Sequence, residues 1–138
     1  MVLDLSSHIY YLYQKKAMKH LEKWFKPLWI LAVSLVIIGT IDPLEGSVLI
    51  VAGSILLAVL AGVHADRHVR NFQLAAMLIV LGVAYMFWIS SLGGIGGSSQ
   101  KSMWWGIGIL PYPLGWLLLI STLIYRGVSR RRSKQQAL

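Results

Sequence analysis

His64, Asp66 and His68 alternate within the run HADRHVR, residues 64–70, which separates two long apolar stretches. Imidazole and carboxylate groups are the usual nitrogen and oxygen ligands of zinc, and imidazole also ligates haem iron. In an extended loop the three side chains would fall on one side. In a helix His64 and His68 would share a face while Asp66 pointed elsewhere. Two histidines with one optional carboxylate are an incomplete ligand set, so His8 or His20 would have to complete it. His64 and His68 are therefore the candidate metal or haem ligands. The competing reading is a polar cap on two helix ends, with Arg67 and Arg70 fixing topology, and it expects no cofactor.

Other chemistry is sparse. Asp42 and Glu45, three residues apart, could act as an acid–base pair or hold a cation. With no second cluster nearby they read as a turn initiator and an interfacial acid. The chain has no cysteine, which removes disulfides, thiol catalysis and thiolate metal sites. No phosphate-binding glycine loop follows a strand, because no strand is expected. The chain is read as a non-enzyme.

The elements that would position these residues are membrane helices. The 138 residues are 57% hydrophobic and 13% charged, against about a quarter charged in a soluble domain. The charges are segregated, leaving 27–41, 46–63, 71–100 and 102–125 free of Asp, Glu, Lys and His, with Arg absent as well. A spanning helix needs roughly 20 residues. Four spans are expected, at 24–41, 45–63, 71–92 and 104–125, as two antiparallel hairpins in an all-α integral membrane protein. The first span is expected to be an uncleaved anchor rather than a cleaved signal peptide.

Net charge is +8, which in a soluble protein would suggest nucleic acid. Topology explains it instead. Lys15, Lys16, Lys19, Lys23 and Lys26 precede the first span, Arg67 and Arg70 lie between the second and third, and Arg126, Arg130, Arg131, Arg132 and Lys134 follow the fourth. Four spans put all three segments on one side, so the positive-inside rule places both termini and HADRHVR in the cytoplasm of a cell with an inner membrane. Residues 126–138 read as a basic cytoplasmic tail.

Residues 7–26 read as an amphipathic interfacial helix. Tyr10, Tyr13, Ala17, Leu21 and Trp24 line one face and the lysines line the other, with Pro27 expected to mark the join to the first span. Such a helix usually rests among anionic headgroups. Asp42 and Pro43 begin a short turn after the first span. The second span carries Ser54, Ala58 and Gly62 at intervals of four, a stripe that lets another backbone approach, with the first span or another subunit as the partner.

The stretch LAVSLVIIG at 31–39 is echoed by LAAMLIVLG at 74–82, with a weaker echo of GSVLIV at Gly46 by GWLLLI at Gly115. A duplicated hairpin would produce both. The second external connection is rich in Gly and Ser and ends in Trp104 and Trp105. Pro111 and Pro113 fall midway along the fourth span, which is therefore expected to be kinked or broken.

Three functions follow. The leading one is a non-catalytic accessory, assembly or scaffold subunit of a membrane complex, in contact with anionic headgroups and with other membrane subunits or its own copies. The second is an oligomeric transporter or channel protomer using the broken fourth helix. The third is a metal- or haem-linked membrane protein using the cytoplasmic histidines. Apart from Lys26 and Glu45 at their ends, the spans hold no Asp, Glu, Lys or Arg, and coupled transporters usually keep such a group within the membrane.

Overall fold

A computed structural model describes residues 2–42, 45–96 and 101–137, with side chains from Asp4 onward. Among the described residues 87% are helical and no strand occurs. Four α-helices follow one another: α1 (Val2–Ile41), α2 (Ser47–Val63), α3 (Val69–Ser91) and α4 (Pro111–Gln136), with a 3₁₀ helix at Met103–Ile109 before α4. Three apolar runs are long enough to cross a membrane: Asp4–Ile41, Val69–Ser91 and Met103–Gln136. The apolar α2 is shorter, at 17 residues, or about 25 Å at 1.5 Å per residue.

Two boundaries differ from the sequence expectation. First, α1 is one 40-residue helix with Pro27 inside it, so no break separates an interfacial helix from a span. The proline withholds one hydrogen bond, from the carbonyl of Lys23, and both residues are exposed. Second, α4 begins at Pro111, so Pro111 and Pro113 sit in its first turn rather than mid-helix. First-turn amides have no partner within the helix, which makes proline well suited there. The break falls at Leu110, where the glycine-bearing MWWGIGI segment gives way to α4. The basic tail is no separate element either, since α4 continues to Gln136. Of the expected turn initiators, Pro43 lies outside the described residues. Asp42 is within them and its carbonyl accepts from the Gly46 amide at 2.6 Å.

The core runs along the facing sides of the helices. Ala32, Val36, Ile50, Leu57, Phe72, Ala75, Ile79 and Leu119 are fully buried in one cluster. Glycine seats the helices closely. A methyl group added at Gly53 would lie 2.8 Å from the Ala32 carbonyl oxygen, with Leu35 and Val36 beside it. One added at Gly115 would lie 2.9 Å from the Ala75 carbonyl oxygen, with Leu78 and Ile79 beside it. Each residue of the second set on α3 stands 43 positions after its counterpart on α1.

The correspondence extends along both helix pairs. Gly39 meets Ile50, and Gly82 meets Tyr112. Leu57 and Leu119 are both fully buried. At the other end Phe25 stacks on His64, and its counterpart His68 meets Tyr125 edge-on, one residue before the counterpart of His64. The same packing scheme is thus used twice, as the echo of 31–39 in 74–82 anticipates. The expected pairing of Gly46 with Gly115 does not hold, because by its contacts Gly115 takes the place of Gly53.

The repeat also explains the stripe of small residues. Gly62 looks towards Val69 and Gln73, which places its end of the stripe against α3 rather than α1. Ser54 is fully buried, Ala58 half-buried and Gly62 exposed. In the second pair the corresponding positions are Trp116, Ile120 and Ile124. Accordingly α2 packs closely on α3, whereas α1 and α4 are tied by long side chains. Trp116 Nε1 donates to Thr40 Oγ1 at 3.0 Å near one end, and Arg126 reaches Trp29 near the other.

Candidate functional site

The run HADRHVR folds as a tight turn between α2 and α3. The amides of His64, Ala65 and Asp66 close the last turn of α2 by donating to the carbonyls of Leu60, Gly62 and Ala61. The bond from Asp66 to Ala61 requires a left-handed residue just before it, and Ala65 takes that role at φ 46°. Asp66 then starts α3. Its Oδ1 accepts from the His68 amide at 3.1 Å, and its carbonyl accepts from the Val69 amide at 3.0 Å.

The second oxygen of Asp66 leaves the turn. Oδ2 lies 2.7 Å from Nη2 of Arg126 on α4, and that arginine is only 8% exposed. The Arg126 guanidinium carbon sits 3.7 Å above the Trp29 ring of α1, and Trp29 in turn meets Phe72 of α3 edge-on. One carboxylate and one guanidinium therefore join the α2–α3 turn, α1 and α4. Among the described residues Nη1 of Arg126 is buried without a hydrogen-bond partner, and the Trp29 face compensates that side of the charge.

The histidines are divided between helices. His64 stacks on Phe25 of α1 with ring centroids 3.6 Å apart. His68 keeps Nδ1 3.5 Å from Asp66 Oδ1 and turns its ring to Tyr125 of α4. His8 and His20 stand on the exposed half of α1. Among the described residues, no three His, Asp or Glu groups are gathered so as to hold a metal ion. The site-forming residues of the run thus serve as fasteners, with Asp66 as the branch point.

Of the basic residues expected to set topology, Arg126 has a second role as a buried structural group. Lys15, Lys16, Lys19, Lys23, Lys26, Arg67, Arg70, Arg130, Arg131 and Arg132 are all exposed. Sequence reasoning missed Phe25, Trp29, Tyr125 and the pairing of Arg126. A signal existed: Asp66 is the lone acid between the second and third apolar stretches, and Arg126 directly ends the fourth on the same expected side.

A cleft of about 390 Å³ lies beside the turn, where α1 leaves the other helices, lined by Met18, Leu21, Glu22, Val63, His64 and Ala65. At the far end of the chain's helices, Tyr85 donates to the Trp105 carbonyl at 2.7 Å, holding the 3₁₀ segment on α3. No family model matches this chain, and no curated protein or solved structure matches it either.

Proposed function

We propose that the chain is a four-span protein of the inner membrane, built as two antiparallel helical hairpins with both termini and the 64–70 turn in the cytoplasm. It serves there as a non-catalytic accessory or assembly subunit of a larger complex. The observation that carries this reading is the engagement of Asp66. It is the acid of the one cluster with chemical potential, and both its oxygens are occupied in joining α1, α3 and α4. Chemistry of that kind holds helices in place and leaves Asp66 no free oxygen to work on a substrate. The doubled packing scheme supports the two hairpins, and the 17 residues of α2 meet the lower limit for a span, about 17. Its partners are anionic headgroups and other membrane subunits or further copies of the chain.

Native extraction in mild detergent followed by mass spectrometry of stoichiometric companions tests the role. Defined subunits leaving with the protein are expected, and a stable monomer without companions would overturn the reading. Because the chain lacks cysteine, single cysteines at Arg67 and Ser133 report topology. Both should react with an impermeant maleimide from the cytoplasmic side, and a cysteine at Ser102 only from the opposite side.

A further inference from the structure

The N-terminal half of α1 makes no packing contact that buries it. Every residue from Asp4 to Trp24 is exposed, and the helix first becomes half-buried at Phe25, two residues before Pro27. At 1.5 Å per residue the 40 residues reach about 60 Å, twice the ~30 Å of a bilayer core. A straight α1 therefore holds Tyr10, Tyr13, Leu21 and Trp24 out in water, each 47–76% exposed. Such a row of large apolar side chains lowers its free energy by leaving water.

Helical geometry says where it can go. The face bearing Tyr13, Ala17 and Trp24 lies about a quarter turn round α1 from Phe25, Trp29 and Ala32, which pack on the other helices. Eighteen residues on, five full turns, the same face carries Leu35 and Gly39, which meet Gly53 and Ile50 of α2, so bending towards it carries residues 4–24 past the end of α2 and on over the lipid surface beyond. Lys16 and Lys23 then flank the buried edge, while Lys15, Lys19 and Lys26 stand above it. Each basic residue near an anionic surface contributes about 1 kcal/mol. The hydrogen bond that Pro27 withholds from Lys23 makes this the pliable point of the helix. It lies where α1 leaves its neighbours.

We propose that residues 4–24 form a strap, hinged at Pro27, whose aromatic face docks on the anionic lipid leaflet beside the spans. The occupant is lipid because the strap starts at the membrane surface, its apolar row faces that way on bending, and its flanking charge is positive. Docking needs no partner protein, so the strap stands or falls independently of the accessory-subunit reading.

Single cysteines carrying nitroxide labels at Tyr13→Cys, Ala17→Cys and Lys19→Cys test it in the full chain reconstituted into nanodiscs. One set contains phosphatidylcholine alone and the other a third phosphatidylglycerol. With phosphatidylglycerol, labels at 13 and 17 should gain oxygen collisions and lose collisions with an aqueous nickel chelate. The label at 19 should stay aqueous. Without the anionic lipid the difference between faces should shrink. Pro27→Ala, which restores the hydrogen bond, should keep 13 and 17 aqueous in both lipids while circular dichroism stays helical. Equal aqueous exposure at 13, 17 and 19 in both lipids overturns the proposal. So does protection of 13 and 17 from both reagents, which would mean burial against protein. Docking by Pro27→Ala equal to the wild type overturns the hinge.

Discussion

Asp66 and Arg126, 60 positions apart in sequence, form a 2.7 Å ion pair at the end of the helices where the α2–α3 turn, α1 and α4 converge. Both side chains are largely shielded, at 12% and 9% exposure. Removing one partner from such a pair leaves the other charge buried and alone, at a cost of about 3–5 kcal/mol. Asp66→Ala and Arg126→Ala should each lower the unfolding midpoint in detergent strongly. Asp66→Ala has the further loss of the acceptor for the His68 amide. The double variant should cost far less than the two single effects added, and the double-mutant cycle measures that coupling. Additive losses would mean that the two groups act separately.

Two glycines on α2 should respond in opposite ways to the same added methyl. At Gly53 it would press on the Ala32 carbonyl at 2.8 Å and on Val36 at the same distance. Gly53→Ala should destabilise by about 1–3 kcal/mol, the usual cost of overpacking. At Gly62 the nearest atoms are 3.9 and 4.0 Å away, an ordinary contact. Gly62→Ala should therefore be neutral, or stabilising by up to about 1 kcal/mol from helix propensity. Gly115→Ala should follow Gly53→Ala, since Gly115 presses on Ala75 in the same manner. Thermal unfolding of the three variants in one detergent decides the matter.

Ala65 holds φ at 46° to complete the end of α2. A residue with a Cβ is disfavoured there by roughly 1–2 kcal/mol, and glycine is not. Ala65→Gly should raise the unfolding midpoint by an amount equivalent to about 1 kcal/mol, less the greater freedom glycine has when unfolded. A lower midpoint would show that the turn is not strained at this residue.

Much of this arrangement can be read in the residues, and the remainder has definite physical reasons. The apolar stretches and the charge-free intervals locate the helices, because period and polarity are local properties. The echo of LAVSLVIIG in LAAMLIVLG points to a repeated packing scheme, and the Gly53 and Gly115 contacts supply it. The stripe of Ser54, Ala58 and Gly62 signals close approach without naming a neighbour, since small size does not specify what comes near. HADRHVR shows the same limit. Its residue types suggest ligands, while its real partners, Arg126, Phe25 and Tyr125, lie 39 to 60 positions from the residues they meet. Pro27 misleads for another reason: a lone proline costs one hydrogen bond, which a helix of 40 residues can absorb.

The wide seam between α1 and α4 gives the most direct measure of how few contacts hold it. Trp116 Nε1 donates to Thr40 Oγ1 at 3.0 Å, and that hydroxyl donates onward to the Val36 carbonyl at 2.7 Å. Trp116→Phe keeps an aromatic ring in place but removes the donor. Thr40→Val keeps the shape but removes the acceptor. Each should cost about 0.5–1.5 kcal/mol, the net value of a hydrogen bond in a folded protein. The double variant should cost little more than either, because the second change removes nothing that the first has left. Stability alone cannot separate this bond from ring packing, so the seam itself is the better readout. Cysteines placed at Ile37, exposed one turn before Thr40 on α1, and at Pro113, which lines the small cleft at this end, report how far α1 and α4 part and leave the Thr40 hydroxyl in place. In a background with Trp116→Phe, a short crosslinker should join that pair more slowly, while a pair across α1 and α2 should react as before. Unchanged crosslinking at the seam would assign its closure to packing rather than to the Trp116–Thr40 bond.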